Sequence, residues 1–226
     1  MTTASPSPAA AVSLTSLAVE KIDGLLNDGR LVPGQRLIES DLCEWLGLGR
    51  VPVREALRIL AGDGVIELVP GKGARVRRMG PAEIVEMLKV IVGLLFVALD
   101  DFPGAVRHPD IRGRLADANA KIAAAAGSQD YFRLNAALCD YQIMLIDMSG
   151  NRYLARSMGK VHFTYYTRQV ISYVDFEVTR SVADPYPAIT EALLRDDIGR
   201  AKDLFSISRE RIITPLAALS RADPGG

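Results

Sequence analysis

Apolar residues recur every three or four positions in three stretches near the start of the chain, which is the spacing of an amphipathic α-helix. These stretches predict helices over 14–27, 40–46 and 52–62. Two strand-like runs follow, over 65–69 and 74–77, joined by the turn Pro70-Gly71-Lys72-Gly73. Helix, helix, turn, helix and hairpin in this order predict a winged helix-turn-helix domain over residues 12–79.

Beyond residue 80 the apolar spacing stays helical, and no stretch predicts a strand. Six helices are predicted, over 81–99, 109–126, 129–148, 151–178, 185–195 and 197–219. Gly80-Pro81 marks the join, because a flexible residue there precedes a helix-starting proline. The predicted fold class is therefore mainly α: an N-terminal winged helix-turn-helix followed by a C-terminal all-α helical bundle over 80–222.

The composition limits the class of protein. Of the 226 residues, 49% are hydrophobic and 24% are charged, as in folded globular chains. Residues 1–11 are rich in Thr, Ser, Pro and Ala and predict a disordered tail rather than a signal peptide. The two cysteines have no Cys-x-x-Cys spacing, which fits a reducing cytoplasm. The most apolar stretch, 90–99, is well short of the ~20 residues that cross a bilayer, so no membrane partner is expected.

The charge is unevenly distributed, although Lys+Arg and Asp+Glu both number 27. Residues 50–80 contain seven basic and three acidic side chains, a net charge of +4, whereas residues 81–226 carry −1. The third helix and the hairpin therefore form a local basic segment, which the neutral total conceals and which indicates a nucleic-acid surface.

Arginines recur on the polar side of the third predicted helix, at Arg50, Arg54 and Arg58. A helix fits the major groove of B-DNA, and one arginine can donate two hydrogen bonds to O6 and N7 of guanine. Lys72 lies between two glycines, where it is free to approach a phosphate or the minor groove. An arginine stripe alone more often faces solvent. Its position on the third helix, ahead of a basic hairpin, favours DNA contact over that alternative.

Three runs within residues 14–77 carry a specific pattern: Pro33-Gly34-Gln35-Arg36-Leu37-Ile38-Glu39, Arg50-Val51-Pro52-Val53-Arg54-Glu55-Ala56-Leu57-Arg58 and Gly71-Lys72-Gly73. Together they resemble the GntR family of bacterial transcription regulators. The resemblance implies that operator DNA is bound by Arg36, Arg50, Arg54 and the wing tip, Gly71, Lys72 and Gly73. The candidate DNA contacts also include Ser40, Val51 and Pro52.

Three positions depart from the family's usual pattern. Gly49-Arg50-Val51-Pro52 stands where members usually have Ser-Arg-Thr-Pro, and Ser40 replaces a frequent arginine. Two hydroxyls that could cap the helix or bind phosphate are thereby lost. Val51 instead offers an apolar side chain suited to a thymine methyl group. We expect altered phosphate anchoring and retained sequence-specific binding.

Residues 81–219 resemble the FadR-type branch of the same family, mainly through Met148-Ser149-Gly150-Asn151-Arg152-Tyr153-Leu154. The resemblance implies an effector-binding bundle and, in most members, a metal held by one aspartate and three histidines. The matching positions here are Leu138, Gln142, Tyr186 and Ser208. None of them is a good metal ligand, and the chain has only two histidines. We therefore predict no metal and no other cofactor.

Polar side chains at or near these positions are candidates for an effector pocket that works without a metal. They are Gln142, His162, Tyr166, Arg168, Tyr186 and Ser208. Side chains of this kind hydrogen-bond ligands, and arginine suits a carboxylate. The alternative, that the tyrosines are ordinary packing residues of the bundle, stays open at this point.

We expect a cytoplasmic homodimer that binds an inverted-repeat operator through two winged helices and acts as a repressor, with a small-molecule effector in the bundle. Two alternatives are a constitutive regulator whose bundle only dimerises and, less favoured, a metal-dependent or small-molecule enzyme. The sequence contains neither His-Glu-x-x-His nor Gly-x-Ser-x-Gly nor a phosphate-binding glycine loop, so no enzyme is predicted.

Overall fold

The computed structural model describes residues 13–69, 71, 73–102, 109–160 and 163–222. The predicted tail over 1–11 lies outside these ranges, as do Lys72 and His162. The chain forms two compact units, the first ending at Arg77 and the second beginning at Arg78.

The first unit combines helices with a three-stranded antiparallel sheet. Its elements are α1 (Leu14–Asn27), β1 (Arg36–Leu37), α2 (Glu39–Leu46), α3 (Arg50–Gly62), β2 (Ile66–Val69) and β3 (Gly73–Val76). The strand order is β1-β3-β2, with Arg75 of β3 opposite both Arg36 and Glu67. The predicted hairpin is β2–β3, whereas β1 is too short to show an alternating pattern in the sequence.

The core of this unit is built from the apolar sides of α1 and α3. The buried positions are Ala18, Ile22, Leu25 and Leu26 on α1 and Val53, Ala56, Leu57 and Leu60 on α3. Helix α3 begins at Arg50, two residues before the predicted start. Pro52 therefore lies in the first turn, where its missing N–H breaks no hydrogen bond within the helix.

The second unit is helical throughout its described residues. Its elements are α4 (Pro81–Asp100), α5 (Pro109–Ala126), α6 (Tyr131–Met148), α7 (Arg152–Lys160), α8 (Phe163–Arg168), a 3-10 turn (Gln169–Ser172), α9 (Phe176–Ala183), α10 (Tyr186–Leu194) and α11 (Ile198–Ala222). A continuous apolar core joins α4, α5, α6, α10 and α11. No described helix is both long and apolar enough to cross a membrane.

The single helix predicted over 151–178 is wrong, because this stretch is divided between α7, α8, the 3-10 turn and the start of α9. Asp175 caps α9, accepting a hydrogen bond from the N–H of Val178 at 2.9 Å. The side chains of Gln169 and Tyr173 bond to the distant backbone of Met79, which holds the chain in the non-helical path. The predicted fold class, a winged helix-turn-helix followed by an all-helical bundle, is nevertheless confirmed.

Candidate nucleic-acid interface and ligand cavity

Gly47 forms the turn between α2 and α3. It ends α2 in the left-handed conformation, with φ +65° and ψ 35°, and the N–H of Leu48 bonds to the carbonyl of Cys43 at 3.1 Å. Helix α3 then starts behind Gly49, which offers no side-chain cap. The N–H groups of the first turn of α3 are therefore open to an external acceptor such as a DNA phosphate.

The predicted DNA contacts are exposed on the first unit wherever the structure describes them, apart from the part-buried Pro52. The exposed ones are Arg36, Ser40, Arg50, Val51, Arg54, Gly71 and Gly73. Val51 keeps 75% of its surface open, so its methyl groups can reach a base. Gly71 and Gly73 have φ values of +70° and +87°, a conformation that side-chain-bearing residues rarely adopt. Lys72, between them, lies outside the described residues.

Three of these residues line one cleft. Arg36, Arg54 and Gly73 border a space of about 390 Å³ between α3 and the sheet. Arg50 and Val51 lie in the first turn of α3, one turn before Arg54. The fold therefore brings residues from β1, α3 and the wing to one region of the surface, as contact with a DNA groove and its adjacent phosphates requires.

Acidic side chains form ion pairs with some arginines of the first unit and partly neutralise their charge. The ion pairs are Arg54 Nη2 to Glu39 Oε2 at 2.8 Å, Arg58 Nη1 to Glu55 Oε1 at 2.6 Å and Arg75 Nη2 to Glu67 Oε2 at 2.5 Å. Arg36 and Arg50 have no ion-pair partner within the part of the chain that the structure describes, so their charges are free to attract phosphate. The Arg54–Glu39 pair joins residues fifteen positions apart, and no spacing rule could have revealed it from the sequence.

A cavity of about 90 Å³ lies within the second unit, between α4, α6, α9, α10 and α11. Its lining includes all four positions at which the family resemblance places metal ligands: Leu138, Gln142, Tyr186 and Ser208. An apolar cavity of ~150 Å³ holds a benzene molecule, so this one has room for roughly four non-hydrogen atoms.

These four residues do not fit a metal site. Gln142 Nε2 donates to Tyr186 Oη at 2.8 Å, Ser208 Oγ donates to the Val182 carbonyl at 2.7 Å, and Leu138 has no ligating atom. Burial raises the pKa of Tyr186, so the phenol keeps its proton. The carboxylate and three imidazoles that the family resemblance implies are thus replaced by four neutral side chains, of which Gln142 and Tyr186 bond to each other and Ser208 bonds to a backbone carbonyl. The described residues also contain no cluster of three His, Cys, Asp or Glu that could hold a metal.

The cavity wall includes polar residues that the sequence reasoning missed. Asn135 and Cys139 share one face of α6 with Leu138 and Gln142, so the helical spacing i, i+3, i+4, i+7 was the signal that could have found them. Asn135 Nδ2 and Cys139 Sγ each lie 3.2 Å from Thr167 Oγ1. Burial raises the pKa of the Cys139 thiol to about 12, so this side of the wall is polar but uncharged.

Two predicted pocket residues do not line the cavity. Tyr166 is buried with its ring against that of Tyr165, at a centroid distance of 5.2 Å. Arg168 places its guanidinium 4.2 Å from the centre of the Phe132 ring, a cation–π contact. His162 lies outside the described residues, so no position is assigned to it.

A different arginine reaches the cavity. Arg209 lines it from α11, directly after Ser208. Its Nη2 pairs with Glu210 Oε1 at 3.0 Å, while its Nε is buried and has no hydrogen-bond partner among the described residues. A buried donor without an acceptor is uncommon, and here it lies on a residue of the cavity wall.

Gln169 and Tyr173 hold the start of the second unit. The N–H of Met79 donates to Gln169 Oε1 at 2.8 Å, and Tyr173 Oη donates to the Met79 carbonyl at 2.6 Å. Met79 and Gln169 are each only 1% exposed. Gln169 directly precedes Val170 of the cavity wall, so one short segment both lines the cavity and holds the residue at which the bundle begins.

A winged helix-turn-helix with an arginine-bearing third helix, followed by an all-helical unit, defines a class of DNA-binding architecture. Residues 14–76 match the family described as "Bacterial regulatory proteins, gntR family". This segment is a helix-turn-helix domain of the GntR family.

Curated relatives are named as transcriptional regulators. The Glc operon transcriptional activator of Escherichia coli K12 is 33% identical over 120 residues, which are 53% of this chain and 45% of that protein. The HTH-type transcriptional regulator YdhC of Bacillus subtilis is 22% identical over 181 residues, covering 79% of this chain and 80% of that one. The match thus spans less than half the length of the Glc activator. The family and these relatives are transcriptional regulators, not enzymes.

Solved structures share the whole fold. Escherichia coli McbR/YncC superposes with a TM-score of 0.78 at 20% identity, covering 92% of this chain and 99% of that one. A GntR transcriptional regulator from Rhodococcus sp. RHA1 also gives a TM-score of 0.78 at 20% identity, covering 90% of this chain and 97% of that one. Both similarities establish the two-part architecture.

Proposed function

We propose that the protein is a sequence-specific, DNA-binding transcription regulator of the FadR-type branch and that it acts in the cytoplasm. The proposal rests on the exposed first turn of α3 in a segment that matches the GntR family: Arg50, which has no ion-pair partner in the described part of the chain, lies there one turn from Arg54. An uncapped helix start and an uncompensated cation suit the edge of a DNA groove.

The residues divide into two roles. Arg50 and Arg54 contact guanine edges in the major groove, and Val51 contacts a thymine methyl group. Arg36 and Lys72 bind phosphates and set the orientation of the domain on the duplex. Contacts to bases distinguish sequences, whereas contacts to phosphates contribute to every sequence alike.

The test begins by selecting binding sites from a random DNA library with the full chain. Dissociation constants are then measured on a selected site and on scrambled DNA. Arg50→Ala or Arg54→Ala should lose discrimination by about 5- to 150-fold, the equivalent of 1–3 kcal/mol for a bidentate base contact. Lys72→Ala should instead weaken binding to both DNAs and reduce the salt dependence by about one counterion.

Arg30→Ala is the matched control, because Arg30 is an exposed arginine of the same unit and is not among the candidate contacts. It should leave the discrimination unchanged. Equal losses on selected and scrambled DNA from both α3 variants would show that they do not contact bases. A wild-type chain without any preferred sequence would overturn the proposed function.

We further propose that the protein binds as a homodimer, the commonest form of oligomeric regulators with a helix-turn-helix, and a two-fold axis in that dimer would require an inverted repeat in the operator. A protein seated on an operator excludes others from that DNA, so repression is the proposed outcome. Sedimentation of the complex should give two chains per selected site, and a reporter behind that site should fall when the chain is expressed. One chain per site, or a rise in the reporter, would contradict these two points respectively.

The helical bundle has two possible functions: it binds a small-molecule effector, or it only dimerises. A small-molecule effector is favoured by the cavity around Gln142, Tyr186 and Ser208 and by Arg209 Nε, which has no hydrogen-bond partner within the described ranges. A ligand of the folded state raises its melting temperature by mass action, so a thermal-shift screen of metabolites on the full chain tests this. A true effector must also change operator affinity, by the same factor by which the operator changes effector affinity. A screen with no hit that alters DNA binding would favour the constitutive regulator.

A further inference from the structure

Glu39 is an acidic residue in the middle of a basic surface. It is the first residue of α2, and it faces Arg54 on α3 across the helix-turn-helix. Arg54 Nε lies 3.1 Å from Glu39 Oε1 and 3.3 Å from Oε2, and Arg54 Nη2 lies 2.8 Å from Oε2. The contact is therefore bidentate, and it uses the side of the guanidinium that carries Nε.

A guanidinium has a second edge, formed by Nη1 and the outward hydrogen of Nη2. Arg54 Nη1 has no hydrogen-bond partner among the residues that the structure describes. This edge presents two parallel donors, the arrangement that matches O6 and N7 of guanine. Glu39 thus occupies one of the two edges that carry paired donors and leaves the other open to a base.

The pair contributes little to the stability of the fold. The side chains of Arg54 and Glu39 are 54% and 39% exposed, and ion pairs in such positions are weak because water screens them. The hydrogen bond from Arg54 holds the pKa of Glu39 below its usual value, so the carboxylate is charged at neutral pH. A carboxylate in this position also repels DNA phosphates, which lowers affinity for arbitrary sequences.

We propose that Glu39 is a positioning residue for sequence recognition, which fixes the Arg54 guanidinium with its open edge toward a guanine. The inference rests on the proposed function. Without the carboxylate, Arg54 must lose its rotamer freedom on binding the base, a cost that a pre-ordered side chain avoids. Loss of the Glu39 carboxylate also removes a charge that repels phosphates. The affinities for selected and for arbitrary DNA should therefore change in opposite directions or by unequal amounts.

The test compares Glu39→Gln with Glu55→Gln in the full chain. Both variants remove one carboxylate that pairs with an α3 arginine, since Glu55 pairs with Arg58. Dissociation constants are measured on a site selected by the wild-type chain, on that site with each guanine replaced in turn, and on scrambled DNA. Far-UV circular dichroism and Trp45 fluorescence establish that each variant is folded.

Glu39→Gln should weaken binding to the selected site by about 3- to 10-fold relative to scrambled DNA. The penalty for replacing one particular guanine should shrink, and it should vanish in Arg54→Met whether or not Glu39 is changed. Glu55→Gln should leave the ratio of the dissociation constants on scrambled and selected DNA as it is in the wild type.

Three results would overturn the inference: an unchanged ratio, equal tightening on both DNAs, or the same effect from Glu55→Gln. If the wild-type chain prefers the selected site and any of these three results is found, the proposed function stands but Glu39 has no role in it. A wild-type chain with no preferred site removes both.

Discussion

Replacing Gly47 by alanine tests whether backbone conformation alone holds the turn before α3. Gly47 has φ +65° and ψ 35°, and a Cβ added there meets no atom within 4 Å, so the substitution creates no clash. The left-handed conformation costs an L-residue about 1–2 kcal/mol, which the winged-helix unit should lose in free energy of unfolding. With a urea m-value of about 1 kcal/mol/M for a small domain, the unfolding midpoint should fall by about 1–2 M.

Trp45 makes this measurement specific to the first unit. It is the only tryptophan in the sequence, and it lies on α2 with 53% of its surface exposed. Its fluorescence therefore follows the unfolding of that unit within the full chain. A calorimetric midpoint for the whole chain would mix the two units.

Gly24→Ala is the matched control. Gly24 lies inside α1, where an added Cβ also meets nothing within 4 Å. Alanine is the better helix former by roughly 0.5–1 kcal/mol, so this variant should be more stable than the wild type. The same chemical change should thus shift the midpoint in opposite directions. A Gly47→Ala midpoint at or above that of the wild type would refute the reasoning, and Gly47→Asn should lose less because asparagine tolerates this conformation.

Three further predictions concern the bundle. Tyr141→Phe removes a buried hydroxyl 2.8 Å from Thr190 Oγ1 and should cost about 1 kcal/mol in urea unfolding followed by circular dichroism; an unchanged midpoint would contradict it. Gln169→Leu removes the acceptor of the Met79 N–H and should speed hydrogen exchange at that amide, measured by mass spectrometry, whereas wild-type exchange would show that the bond does not protect it. Dialysis against a chelator should leave affinity for the selected DNA site unchanged, and a loss restored by added metal would refute the prediction that no metal is bound.

The sequence was most informative where burial is local and periodic. The apolar stripe of α3 predicted Val53, Ala56, Leu57 and Leu60 as buried because one side of a single helix packs on the core. The helical spacing of apolar residues wrongly predicted one helix over 151–178. In that stretch, the side chains of Gln169 and Tyr173 bond to the backbone of Met79 instead. A bond across such a separation leaves no periodic trace, although the cap at Asp175 was visible in principle.

The sequence likewise predicted some residues of the candidate cavity and misplaced others. Counting along the family pattern located Gln142, Tyr186 and Ser208, and the fold brings them to one cavity because their helices pack around it. Arg168 was assigned to the same pocket from its place on a neighbouring helix, and it instead lies on Phe132. Which way a side chain points depends on the helix break at the 3-10 turn, and that break could not be predicted.

The segment 167–170 both lines the cavity and contacts the start of the second unit, so the proposed effector would act on the winged-helix unit through it. Thr167 and Val170 line the cavity, and Gln169 between them holds the backbone of Met79. Protein interiors are close-packed, so a ligand that displaces Val170 must also move Gln169. Met79 lies two positions beyond Arg77, the last residue of the winged-helix unit. Gln169 Nε2 is buried without a hydrogen-bond partner among the described residues, and an unmet buried donor costs about 1–3 kcal/mol. If a ligand shifts this segment so that Nε2 meets an acceptor, the hydrogen bond gained offsets part of the cost of the shift.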